Sequence, residues 1–339
     1  MTTFPAPVQP RLPDARGRIS EAVIELLTGR PPHNHLEPVW VPIRDSDPFG
    51  IDVQLALYIC YELHYRGFAG VAPAWEWDAG LLHLRSKLER VFTAAVRREV
   101  GEISPDMTAT REMNRLSVEP DYGTGPSYYL RDHATWEQMR EYFVHRSLYH
   151  LKEGDPHAWL IPRLGGQAKA SLVAVEFDEY GAGRGTQVHQ QLFANLMAAA
   201  DLDCRYLAYL ATVPAESLAV VNLMSLFGLH RELRAAAAGH FAATEITSSP
   251  GSQRMVKALE RLGAPEPCLR FYREHVEADA VHEQIVRLKV IGDLVAREPE
   301  LDLDVVFGIR AFDAMEGRLA DHLMKCWSSD HSSLRRPLR

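Results

Sequence analysis

The sequence predicts an all-α protein, and three observations carry that reading. From residue 131 almost to the end, apolar residues recur at helical spacing in one segment after another. Strand signals are scarce throughout. No internal repeat is visible, so some 200 residues of helix fit a bundle better than a solenoid. The expected architecture is a helical bundle over 131–330 behind an N-terminal arm and accessory helical lobe over 1–130.

Each element follows from local chemistry. Nine of the 21 prolines fall in the first fifty residues. This predicts a loose arm over about the first fifteen residues and loop from Pro31 to Pro48, with His33 and His35 in it. Between them ISEAVIELLTG reads as a short helix stopped by Gly29. Leu55, Tyr58, Ile59 and Leu63 predict a helix over 52–68. Leu81, Leu84, Leu88, Val91 and Phe92 predict one over 78–100. Residues 101–130 read as a long connection. Helices are then expected at about 133–153, 167–180, 185–200, 214–243, 250–262, 266–294 and 307–326. The glycines at 181, 183 and 185 mark a tight interhelical turn, and SSPGS at 248–252 reads as a helix break. The closing SSLRRPLR reads as a frayed tail.

Composition excludes several classes. A net charge of -8 argues against a surface built for nucleic acid. Four cysteines without a CxxC pair argue against a disulfide scaffold, a thiolate zinc site or an iron–sulfur cluster. No leader-like apolar region opens the chain and no apolar run has membrane-spanning length, which predicts a cytoplasmic protein without membrane contact.

The sharpest local pattern is HVEADAVH at 275–282. His275 and Asp279 are four apart, and Asp279 and His282 three, so all three share one helical face. The two histidines stand two turns apart. That suits two metals flanked by Asp279 better than one, with His275 serving one and His282 the other. On spacing alone, an acidic, His-bearing helix facing solvent remains the alternative. Glu176, Glu179, His189, His240 and Glu245 also lie in otherwise apolar or Ala-rich segments, where a lone carboxylate is costly to bury. Mixed carboxylate and imidazole ligands from several helices are how bundles hold two iron or manganese ions, although the usual ExxH signature is absent.

The runs GQAKASLVAVEFDEYGAGRGTQVHQQLF, VNLMSLFGLHRELRAAAAGHFAATEITSS and RFYREHVEADAVHEQI resemble the iron-containing redox enzymes of the haem-oxygenase-like diiron family. The resemblance covers roughly 130–300. It implies a haem-oxygenase-like bundle with Glu179, His189, Glu245, His275, Asp279 and His282 as metal ligands. Glu153 is the best match to an earlier glutamate, and Glu141, His145 and His150 are its rivals. His189 is expected to complete one coordination sphere and Glu153 the other. The family's cofactor is a pair of non-haem iron ions, one of them labile, with O2 as co-substrate. Its members oxidise small organic substrates by N-oxygenation, desaturation or C–C cleavage, drawing electrons from a reductase or a small reductant. A biosynthetic oxidoreductase, forming a homodimer, is the resulting expectation. The alternative is a non-oxidative small-molecule binding module of the same, thiaminase-like fold.

Outside these motifs, YELHYRGF at 61–68 stands out. Glu62 and Arg66 are four apart, which predicts an ion pair tying the lobe to the bundle or, alternatively, a substrate contact.

Overall fold

The computed structural model describes residues 9–29, 43, 45–118 and 122–338. Most of the Pro31–Pro48 loop, with His33 and His35, lies outside them, as do the first eight residues of the arm. Among the described residues there is no strand. The helices are α1 (Arg18–Thr28), α2 (Ile51–Glu62), α3 (Ala79–Val100), α4 (Ala109–Leu116), α5 (Pro126–Asp132), α6 (Trp136–His150), α7 (Asp155–Ala158), α8 (Gly166–Glu179), α9 (His189–Ala199), α10 (Ala215–Leu229), α11 (Arg234–Arg261), α12 (Glu266–Ile285), α13 (Gly292–Arg297) and α14 (Asp302–Trp327). A π-helical turn, Val286–Ile291, joins α12 to α13. None of these helices is long and apolar enough to cross a membrane.

Polar side chains at helix starts set several of the boundaries. Asp78 and Thr108 accept from the third backbone N–H of α3 and α4, and Thr135 with Gln138 forms a capping box on α6. The start of α1 is capped from outside. Asp52 of α2 accepts from the backbone N–H groups of Ile19 and Ser20.

The long helix α11 is the centre of the bundle, with α12 along one side and α14 along another. α10, buried on nearly every face, lies beneath α2 and α14, and α9 packs on α12. The lobe, α1 to α4, leans α2 on α10 and α3 on α14. One hydrophobic core runs through lobe and bundle alike.

Six expectations need correction. The predicted helix over 52–68 stops at Glu62, where the chain turns away. The connection over 101–130 contains α4 and α5, because Thr108 caps the first and Pro126 starts the second. The helix predicted over 214–243 is two helices, parted by a short 3-10 turn at Arg231–Leu233. SSPGS breaks nothing: α11 runs straight through Pro250. Finally, the tail is tied down. Ser333 donates to Glu141 and Arg335 N–H donates to the carbonyl of Thr212. The arm is also held from residue 9 onward, where Ala69 N–H donates to the carbonyl of Pro10.

Candidate metal centre

Five segments bring the site together. The end of α6 leads into Glu153. α8 carries Asp178 and Glu179 at its C-terminus. α9 opens on His189, α11 supplies Glu245 near its middle, and α12 supplies His275, Asp279 and His282. The turn between α8 and α9 depends on glycine. Gly181 and Gly183 adopt φ of 67° and 77°, and a Cβ on Gly181 would lie 2.6 Å from the backbone of Gln187 and Val188. That tight return sets His189 Nδ1 2.9 Å from Glu179 Oε2.

Two buried triads result: Glu153, His189 and His275, and Glu179, Asp279 and His282. In each, the potential ligand atoms lie within 4.8 Å of one another. His275 and His282 therefore fall in different triads, as their spacing predicts. Glu153 and His189 fall in the same one, not in opposite spheres, because the α8–α9 turn returns His189 beside the end of α6. Glu245 joins the second triad, its Oε2 3.4 Å from His282 Nδ1. It sits in mid-helix, on α11.

The imidazoles are oriented from behind. His275 Nδ1–H donates to the carbonyl of Phe271 at 2.8 Å, which turns Nε2 toward Glu153, 3.4 Å away. His282 works in mirror image. Its Nε2–H donates to the carboxylate of Asp178 at 3.2 Å, turning Nδ1 toward Asp279 and Glu245. Such outward hydrogen bonds fix ring and tautomer for a ligand nitrogen. Asp178 was not legible in the sequence, because its partner lies 104 residues away. His150, a rival to Glu153 on sequence, is instead its partner: its Nδ1 stands 2.9 Å from Glu153 Oε1. The pairing, across three residues, was visible in the spacing.

The other candidates have separate employment. Glu141 accepts from Trp327 and Ser333, and His145 is held between Ser217 and Ser333. His240 packs in the core at 3.4 Å from His157. Glu274 and Glu277 are exposed, and of the aromatics near the motifs Phe177 is exposed too. Glu176 is neither exposed nor paired; it is 2% accessible and both carboxylate oxygens lack a partner.

The electrostatics are those of a site that wants cations. Burial opposes charge on every group here. His150 and His275 nevertheless hold the Glu153 carboxyl well below the usual range. Burial pulls His275 down, but Glu153 outweighs it and the imidazole rises to about 10. Burial likewise opposes charge on His282, which Asp279 and Glu245 raise to about 11. Burial pushes Glu245 up to about 8, and it pushes Glu176 well above the carboxylate range, with Glu179 and Glu245 adding repulsion. Protons on these imidazoles balance the acids when nothing else does.

Glu153 Oε2 and Asp279 Oδ2 are buried without a hydrogen-bond partner, and His189 Nδ1, Glu245 Oε2 and His282 Nδ1, also buried, make ion-pair contacts but no well-formed hydrogen bond. Orphaned polar atoms are rare in folded proteins, and here they are ligand types aimed at one another. A void of about 10 Å3 separates Glu153, Glu179, Glu245, His275 and Asp279, roughly the room one small bound body takes. Four carboxylates facing three imidazoles would neutralise two divalent cations. The residues present fit a pair of such ions.

Residues 140–317 match the family described as iron-containing redox enzyme. The match spans more than half of the chain. This protein belongs to that family. It is a haem-oxygenase-like member whose two candidate triads lie inside the matched region. No curated protein matches the chain. The adjoining space is walled by α5, α6, α10, α11, α12 and α14. A cavity of about 170 Å3 opens beside His150 and His275, walled by Tyr142, Arg146, Tyr149, Tyr272, Met224 and Glu316. Arg146 and Glu316 pair across it through two 2.7 Å hydrogen bonds.

Proposed function

We propose that this iron-containing redox enzyme binds two non-haem iron ions and uses O2 to oxidise a small organic substrate. The observation that carries the reading is the set of orphaned, inward-facing ligand atoms on two adjoining triads. Glu153, His189 and His275 would hold one ion, and Glu179, Asp279 and His282 the other, with Glu245 within reach of the second. Bound iron would supply the electrons that activate O2.

The chain's own residues do the rest. His275 and His282 must give up their protons before they can ligate, so metal binding releases protons and tightens as pH rises. Phe193 and Phe271 pack at 5.0 Å against each other, beside His150 and His275, and keep water from that side. The cavity beside His275 has the size for a small substrate, which Tyr142, Tyr149 and Tyr272 would orient. N-oxygenation, desaturation and C–C cleavage are the reaction types we place here, with a reductase or a small reductant as electron source. The same proposal includes a cytoplasmic homodimer in a biosynthetic role, divided near residue 130 into an accessory part, 1–130, and a metal-binding part, 131–330. A metal-free binding module is the weaker alternative, since it leaves the buried orphan atoms without employment.

The test is iron stoichiometry together with O2 consumption in a variant series. Two irons per chain are expected after anaerobic Fe(II) loading. Asp279→Ala should lose turnover and iron. His275→Ala and His282→Ala should each empty one position. Glu176→Gln should keep both, since a carboxyl already held in its acid form is closely mimicked by an amide. Full iron content and activity in both histidine variants would sink the proposal.

A further inference from the structure

The segment YELHYRGF has a use that the ion-pair reading does not describe. Glu62 and Arg66 do not pair through their side chains. Glu62, fully buried at the end of α2, accepts from Lys152 Nζ at 3.3 Å and from Tyr206 OH at 2.8 Å. Lys152 is only 1% accessible, and its ammonium lies 4.1 Å from the ring centre of Tyr65 and 4.8 Å from that of Tyr58. The Arg66 guanidinium stacks over Tyr206 at 4.2 Å and donates to the carbonyl of Leu151 at 3.2 Å and to Gln190 Oε1 at 2.7 Å. Gln190 Nε2 in turn donates to the carbonyl of Glu153 at 2.9 Å and to Asp155 at 3.1 Å.

The chain of contacts runs from the lobe to the backbone at residues 151 and 153 and to the residue after His189. Glu153 and His189 belong to one triad. Toward Glu179, Asp279 and His282 the network reaches less far: Asp155 accepts from Tyr180, the residue after Glu179, at 3.0 Å, and His189 Nδ1 lies 2.9 Å from Glu179 Oε2. That second triad is steadied by Asp178 on His282.

We infer that the lobe, through Glu62, Arg66, Lys152, Tyr206 and Gln190, positions the ligands of the Glu153–His189–His275 metal site more strongly than those of the other site. The inference rests on the two-iron reading above. Its physical basis is that a ligand's carboxylate or imidazole can be no better placed than the backbone that carries it. Outer partners of ligands typically affect metal affinity on the order of 10- to 100-fold. Burying Lys152 against Glu62 and two tyrosine rings makes the clamp stiff, because separating the pair would leave each charge buried without its partner.

The experiment uses Arg66→Met and Gln190→Leu on one side and Asp178→Asn on the other, each in the full chain. Fe(II) affinity is measured by competition with a colorimetric chelator, and iron is counted after desalting. Arg66→Met and Gln190→Leu should weaken one of the two positions about 10-fold or more and bring retained iron down to about one per chain. The second position is the internal control for folding. Placed in a His282→Ala background, Arg66→Met should remove the remaining iron. In a His189→Ala background it should remove little more than His189→Ala alone. Asp178→Asn should show the reverse dependence on background. Equal loss from both positions, the same loss in both backgrounds, or no loss would each overturn the inference. Wild-type protein that binds no iron would overturn the two-iron reading itself. Two irons in the wild type with unaffected Arg66→Met would overturn only the clamp.

Discussion

His157 and His240 meet ring to ring in the core, Nε2 to Nδ1 at 3.4 Å. Burial lowers both to about 3, and for His157 the neighbouring His240 adds to it. The unfolded chain takes up protons on both near pH 6.5, whereas the folded one takes them up only near 3. Their contribution is thus fully present above pH 6.5 and lost as pH falls toward 3. In that window each imidazole removes up to about 1.4 kcal/mol per pH unit. The urea midpoint of the metal-free chain should therefore fall more steeply from pH 6.5 to 4 than that of a His157→Gln/His240→Gln variant. Parallel profiles would assign the acid sensitivity elsewhere. At this scale the sequence was informative about α12, where three- and four-residue spacing puts His275, Asp279 and His282 on one face. It was silent about Asp178, Lys152 and Gln190. Spacing shows which residues share a helical face, and these three act between faces that only the folded chain brings together.

α11 shows why one element was misread. SSPGS contains every local breaker, and a proline inside a helix costs about 3 kcal/mol. Yet α11 packs against α12 and α14 over much of its 28 residues, and burial on two sides outweighs a local penalty of that size. The crossing with α14 is unusually close. Ala236 and Gly239 of α11 meet Gly308 and Val305 of α14 there. A Cβ on Gly308 would collide with the backbone carbonyl of Ala236, and one on Gly239 with that of Val305. Alanine would favour the helix by about 1 kcal/mol, but overpacking costs about 1–3 kcal/mol, and here the obstacle is backbone that cannot rotate away. Gly308→Ala should consequently lower stability, seen as a lower urea midpoint at unchanged m-value. A stabilised variant would show that the helices part freely. An Ala-rich helix reads as a good helix from sequence, but nothing in it announces which small residues lie at a crossing.

The lobe and the bundle behave as one body because they share one core. α2 covers α10, and α3 covers α14. Deleting residues 1–116 uncovers those faces, and the remainder should bind a hydrophobic dye and lose its near-ultraviolet circular dichroism. A soluble fragment with native-like spectra and two tightly held irons would refute both this and the clamp. The helical class and the bundle were legible in the sequence because they depend on periodicity. That the apolar stripes of 52–68 and 78–100 would pack against the bundle or a second subunit was legible too; which bundle helices they meet was not, because α3 and α14 are some 200 residues apart. That separation has a consequence during synthesis. Every ligand of the two triads is already part of the chain before α14, the helix that closes α11 and α3 together, begins. At about 5–20 residues per second, the stretch from His282 through Trp327 takes about 2 to 9 seconds to make. For those seconds the faces of α11, α10 and α3 that α14 covers stay without their partner.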